Sequence, residues 1–387
     1  MERLRIGHFT WEAQYGLKVG GITPHVTAVA EGLAARGHEV HVFTRRGNFP
    51  EYDLIRGVHY QRVPHDYDGS IVEQMDRMCR AMAERFFAVE GRSGAFDLLH
   101  CHDWHPVLAM PEIKGRRSLP WVFTYHSTEW GRAGNLHPRD DIGREIARRE
   151  WLGAYEAKEV IVTSANLWGE IRSLYQVPEA KTHLVPNGAV SLWRKVDPAR
   201  VRKEAGIPPA APVVLFVGRM TRQKGPDLLL EAVPRVLAHR GDVRFVFAGA
   251  GDLQGPCEAR ARELGVAGAC RFLGYVTDDQ VADWMNACDL LAVPSRNEPF
   301  GIVALEAWSC GKPVIGTEAV DLIHNFVDGI RAYVQPESIA WCINQVIGKP
   351  EVMREMGRKG RARVEKEYNW EAILDRTLAV YRRARGG

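Results

Sequence analysis

The chain has 387 residues, 45% of them hydrophobic and 26% charged, and its formal charge is +3. At ~150 residues per domain this length asks for two or three cores, and two is the simpler expectation. The near-neutral balance gives no reason to expect nucleic acid, and no run approaches the ~20 apolar residues of a membrane span.

The start, MERLRIGHFT, enters an apolar run with no basic region or signal-type core ahead of it, so the expected location is the cytoplasm. The seven cysteines are odd in number, scattered, and never form Cys-x-x-Cys, which predicts reduced, buried thiols rather than disulfides or a zinc ribbon. Arg382, Arg383 and Arg385 read as a solvated helix end, with peripheral membrane contact as the minor alternative. Oligomeric state leaves no mark on the sequence.

Apolar runs, each followed by a helical pattern, recur at LRIGHF (4–9), EVHVF (39–43), DLLHC (97–101), WVFTY (121–125) and EVIVTS (159–164). A second series follows: VVLFVG (213–218), VRFVFAG (243–249), CRFLG (270–274), DLLAVP (289–294) and KPVIGT (312–317). Continuous apolar strands alternating with helices imply parallel sheets covered on both faces. The expected fold class is therefore α/β. A first doubly wound, Rossmann-like domain spans 1–190, a Pro-, Ala- and charge-rich linker 191–212, and a second such domain 213–365. A terminal helical stretch, 366–387, is free to pack back on the first domain. Ligands of such sheets bind beyond the carboxyl ends of the strands, so the loops there, facing a cleft between the domains, are the places to search.

The loop after the first strand carries Gly16, Gly20 and Gly21 ahead of a helix starting near Ile22. Glycines admit a ligand close to the backbone and free helix-start amides favour an anion, here a phosphate; the plainer alternative is a tight strand-to-helix turn. In the segment HCHDWHP, strand alternation puts His100 and His102 on one face, opposite Cys101. An ordered metal site needs three or four converging ligands, so no metal is expected there. Trp11, Trp104, Tyr125 and Trp130 fall in or next to loops of the first domain, where their rings suit either sugar faces or core packing.

In the second domain GRMTRQKG places Arg219, Arg222 and Lys224 just beyond a strand, where cations would neutralise a diphosphate and stabilise it as it leaves; solvated surface charge is the alternative. In NEPFGIVALE, Pro299 and Gly301 break helicity, so Glu298 belongs to a loop and Glu306 to the helix that follows. A metal would want more oxygen ligands nearby. A pair of glycosidase carboxylates is geometrically open, as is a pair of acceptors for sugar and ribose hydroxyls.

GRMTRQKG, NEPFGIVALE, VPNG (185–188) and KVGG (18–21) together resemble the retaining glycosyltransferases of family 4, especially the glycogen-synthase-like group, over nearly the whole chain. The resemblance implies a GT-B fold, a nucleotide-sugar donor, a carbohydrate acceptor, no cofactor, and transfer without a metal. It assigns Arg219 and Lys224 to the donor diphosphate, Glu306 to the ribose, and Glu298 to hydroxyls of the transferred sugar. Backbone amides around Phe300, Gly301 and Ile302 would face sugar and phosphate, and Lys18, Gly20 and Gly21 would close over the diphosphate. His126, in FTYHSTEW, would position the sugar near the reacting carbon, making His126, Arg219, Lys224 and Glu298 the implied catalytic set. Asp103 and Trp104 of the HDWH segment, with Trp130, would line the acceptor side.

The implied reaction moves a hexose, foremost glucose from UDP-glucose or ADP-glucose, to a carbohydrate acceptor such as an α-glucan. Mannosyl or glucosyl transfer to a small sugar or lipid, and a nucleotide-sugar epimerase of the same fold, stay open as alternatives.

Overall fold

The computed structural model describes residues 2–18 and 20–386, so Val19 of the KVGG loop lies outside the described residues. The chain folds as two units. One takes the residues up to Trp130, His137–Gly188, and Trp370 onward; the other takes Gly131–Leu136 and Ala189–Asn369.

The first unit holds strands β1 (Arg5–Phe9), β2 (Glu39–Arg45), β3 (Tyr52–Ile55), β4 (Val58–Val63), β5 (Leu98–His102), β6 (Trp121–Tyr125), β7 (Glu159–Val162) and β8 (Thr182–Leu184). Their order across the sheet is β3-β4-β2-β1-β5-β6-β7-β8. All neighbours are parallel except β3, which returns antiparallel on β4 through Arg56 and Gly57. Both turn residues have positive φ, 49° and 79°, as a tight hairpin requires. That hairpin and the short β8 are absent from the sequence reading. Strand residues of β5 and β6 are buried throughout, which is why these segments read as largely apolar runs, interrupted by His100, His102 and Thr124.

The second unit holds β9 (Val213–Val217), β10 (Arg244–Ala248), β11 (Cys270–Gly274), β12 (Leu290–Val293), β13 (Val314–Thr317) and β14 (Gly329–Ala332). They pair in parallel, in the order β11-β10-β9-β12-β13-β14. This is the classic doubly wound order, whose direction reverses between β9 and β12. In the first unit the reversal falls between β1 and β5.

The structure corrects one boundary. The stretch expected as a linker, 191–212, is part of the second unit. It forms the helix Pro198–Glu204, with proline in the first turn and the Asp197 side chain accepting from the Ala199 amide at 3.0 Å. Val201, Ile207 and Ala211 are buried in that unit's core, and burial of this spaced apolar set is what a flexible linker lacks. The tail takes the arrangement the sequence left open, and the helix Trp370–Ala384 belongs wholly to the first unit. Its Ile373, Leu374, Leu378 and Tyr381 join the core formed by β1, β2 and the helix Ile22–Ala35. The contact is close: a Cβ on Gly188 would lie 2.4 Å from the Trp370 ring, and one on Gly32 would lie 2.4 Å from Leu374. Among the described residues no helix is long and apolar enough to cross a membrane. All seven cysteines are buried free thiols.

Candidate active site

In the second unit the loops after β9 and β12 leave the sheet side by side at its reversal point. Backbone bonds knit them together: the Arg296 amide donates to the Gln223 carbonyl at 2.8 Å. The Arg296 guanidinium donates to the Arg222 carbonyl at 2.9 Å and holds Asp227 with both terminal nitrogens, at 2.9 and 2.6 Å. Gly249, after β10, supports the same loop from below. Its φ is 144°, and a Cβ there would lie 1.9 Å from the Gly218 carbonyl oxygen. These contacts explain why a charged, glycine-rich loop is held in one shape.

On that frame Arg219 is exposed, and among the described residues its guanidinium donates to Gln223, at 3.2 Å, with no carboxylate partner. Arg222 is likewise exposed. Lys224 instead bonds Glu298, with Nζ 2.9 and 2.8 Å from the two carboxylate oxygens. The Ser295 hydroxyl adds a third bond at 2.9 Å. Glu298 is 7% exposed, so this pairing is what makes burial of its charge tolerable. Phe300 is buried and packs edge-on to Tyr368. Gly301, at φ 97°, starts the helix Ile302–Ser309, and no side chain caps that start. Its leading amides are thus donors toward whatever lies at the strand end. Glu306 sits one turn in, half-buried on the helix. Its carboxylate makes no hydrogen bond or ion pair among the described residues, and burial, reinforced by Asp278, pushes it up to about 7.

In the first unit the expected open anion site after β1 is already filled by the chain itself. The Glu12 carboxylate accepts from the amides of Gly20, Ile22, at 3.0 Å, and Thr23, at 3.2 Å. Glu12 is 1% exposed, and a buried carboxylate and a helix start satisfy each other. The Gly20 amide is therefore not free, while Gly21 and Lys18 are exposed. Trp104 is also placed differently from the acceptor-side expectation. It is 3% exposed, stacked on His105 and beneath the Arg149 guanidinium, and so belongs to the core. Asp103 is buried just after β5 at φ 61°, and Trp130 is half-buried on the short helix Glu129–Arg132.

His126 follows β6, and here the structure gathers more than the sequence offered. His8 on β1, His100 and His102 on β5, His126, and His25 on the helix Ile22–Ala35 form one cluster. The His8 Nδ1 and His102 Nε2 atoms are 3.0 Å apart, and His102 Nδ1 and His126 Nε2 are 3.2 Å apart. His100 bonds Tyr381 at 2.7 Å and Thr124 at 2.6 Å. Burial is the chief cause that holds all five below the usual histidine range, His8 to about 3 and His25 to about 4. The triplets His8, His100, His102 and His25, His102, His126 have ring nitrogens within 4.8 Å of one another. Neutral rings reach such spacings by bonding to each other, as the 3.0 and 3.2 Å pairs do.

Comparison with known proteins gives this geometry its family. Residues 198–363 match the model of group 1 glycosyl transferases, and residues 19–190 match that of glycosyltransferase family 4. An uncharacterized glycosyltransferase of Methanocaldococcus jannaschii, MJ1607, is 34% identical over 98% of both chains. The chain belongs to glycosyltransferase family 4. The glycosyltransferase is also 27% identical to a glycogen synthase of Mycobacterium tuberculosis over 99% of this chain and 96% of that one. Among solved structures it superposes on a sucrose-phosphate synthase from Thermosynechococcus elongatus with a TM-score of 0.82 and 26% identity. That match covers 98% and 99% of the two chains. The fold is GT-B.

Sequence reasoning missed several residues that shape the glycosyltransferase's candidate site. Arg296 ties its two loops through partners distant in the chain, which local spacing does not reveal, whereas Ser295 shares Glu298 and Glu12 fills the helix start within their own loops, through contacts no motif marks. A pocket of about 540 Å³ in the first unit, lined by Arg46, Asn48, Phe49, His65 and Tyr67 among others, was likewise unmarked.

Proposed function

We propose that this enzyme transfers a hexose, foremost glucose, with retention of configuration from UDP-glucose or ADP-glucose to a carbohydrate acceptor. The observation that carries the reading is the pair of switch-point loops. They present Arg219, with no carboxylate partner among the described residues, and an uncapped helix start, followed by the unpartnered carboxylate of Glu306. A diphosphate meets the first two as an anion, and Glu306 can accept from both ribose hydroxyls. Glycogen synthase among its relatives supports glucose as the sugar and a glucan as one acceptor to test.

In this reading the acceptor hydroxyl attacks from the face that the nucleotide leaves, and the departing phosphate takes its proton. Arg219 and Lys224 stabilise the leaving diphosphate, so the reaction calls for no metal and no carboxylate nucleophile. Glu298, already shared by Lys224 and Ser295, accepts from sugar hydroxyls, and His126 positions the sugar. Trp130 and Asp103 remain the acceptor-side candidates, and the aromatic, cationic pocket at Phe49 and Tyr67 is a further one in the same unit.

The test is a panel of UDP-, ADP- and GDP-sugars scored for nucleotide release, with and without glucan, on the parent and on Arg219→Ala. Release from a glucose donor that rises with acceptor and drops at least about 100-fold in the variant supports the reading. An isomerised sugar from donor alone would instead mark an epimerase.

A further inference from the structure

His8 lies at the buried end of the histidine row and is 0% exposed, whereas His126, at the other end, is the least buried of the five. Two contacts join them: His8 Nδ1 to His102 Nε2 at 3.0 Å, and His102 Nδ1 to His126 Nε2 at 3.2 Å. Each contact needs one protonated and one bare nitrogen, and a neutral imidazole carries a single proton. The row therefore has two self-consistent states. In one, His8 Nδ1–H donates to His102, His102 Nδ1–H donates to His126, and His126 carries its proton on Nδ1. In the other every proton is moved across, so His8 carries Nε2–H and His126 has a bare Nδ1.

The far nitrogen of His8 chooses between them. His8 Nε2 is buried with no hydrogen-bond partner. A proton there would leave an orphaned N–H, which folded proteins tolerate more rarely than an unfilled acceptor. The first state avoids that orphan. We infer that His8 is a positioning residue which, through His102, fixes the tautomer of His126, so that His126 presents Nδ1–H as a hydrogen-bond donor to an oxygen of the bound sugar. This rests on the reading above in assuming that His126 meets the sugar; the tautomer itself does not depend on it.

The experiment takes the full-length protein labelled with ¹⁵N-histidine and reads ring-nitrogen shifts and their proton couplings. Signals are assigned by the variants His126→Asn and His102→Gln. The parent shows a protonated Nδ1 and a bare Nε2 at His126. His8→Leu, which removes the anchoring donor, converts His126 to a mixture, whereas His8→Asn, whose amide can still donate to His102, keeps the parent pattern. Turnover of UDP-glucose and ADP-glucose provides the second arm. His126→Asn, which places an amide N–H near the Nδ1 position, retains at least tenfold more kcat than His126→Gln, and His8→Leu lowers kcat with KM for the donor little changed. A parent His126 protonated on Nε2, or a His8→Leu spectrum identical to the parent at His126, overturns the inference. If the tautomer is as stated but His126→Gln and His126→Asn turn over equally, the tautomer stands and the contact between His126 and sugar falls.

Discussion

At the scale of single residues the candidate site contains one carboxylate compensated by the protein and one that is not. Lys224 and Glu298 neutralise each other, with the Lys224 side chain 23% exposed and that of Glu298 6%. Removing the lysine alone strands a buried carboxylate, so Lys224→Met should lower unfolding stability by about 1–3 kcal/mol, below the range for fully buried pairs because water reaches the lysine. Adding Glu298→Leu should recover most of that loss in urea titrations, and neither variant should release nucleotide. Glu306 is the opposite case. Its value is raised from an ordinary 4.5 to about 7, so the fold favours its neutral form. That contribution is full below about 4.5 and is lost as the pH rises through about 7. Glu306→Gln should therefore gain about 1–3 kcal/mol of stability at pH 8 relative to the parent and little at pH 4. Binding runs the other way, because ribose hydroxyls need the ionised acceptor. UDP affinity should fall about tenfold between pH 8 and pH 6 in the parent, in excess of any change in Glu306→Gln, as calorimetry can measure.

At the scale of elements, the loop after β9 owes its shape to contacts from β10 and β12. Gly249→Ala would drive a Cβ into the Gly218 carbonyl at a φ of 144°, and should cost about 2–4 kcal/mol while weakening nucleotide binding. Unchanged UDP affinity in that variant would uncouple loop shape from binding. The strands bearing these loops were legible because β5, β6, β9, β10, β12 and β13 are largely buried on both faces and so read as predominantly apolar runs. The hairpin of β3 and β4 was not, since YDLI is half-exposed at the sheet edge and carries no such signal. The cations at Arg219 and Lys224 and the two glutamates were legible as motifs. Their partners were not: Arg296 across the loops and His8 behind His126 are set by which strands are neighbours, which local spacing does not show, and Glu12 reaches the helix start through the fold of its own loop. Trp104 illustrates the same limit, because an aromatic next to a loop is equally compatible with core and with sugar until its burial is known.

At the scale of the whole molecule, the chain leaves the first unit after Gly188 and returns to it at Trp370. The returning helix buries Ile373, Leu374, Leu378, Val380 and Tyr381. At ~1.5–3 kcal/mol for each such side chain, its removal forfeits on the order of 10 kcal/mol, comparable with the full stability of a domain. A chain ending at Asn369 should lose the calorimetric transition of the first unit and keep that of the second. The central claim is that the loops at Arg219 and Glu298 hold a nucleotide sugar whose leaving diphosphate the cations stabilise. The most direct measurement is the rate of nucleotide release from UDP-glucose and ADP-glucose, with glucan present, in the parent and in Arg219→Ala and Glu298→Ala. The account predicts release by the parent from at least one of these donors and a loss of about 100-fold or more in each variant. Release at the parent rate in both variants would contradict it.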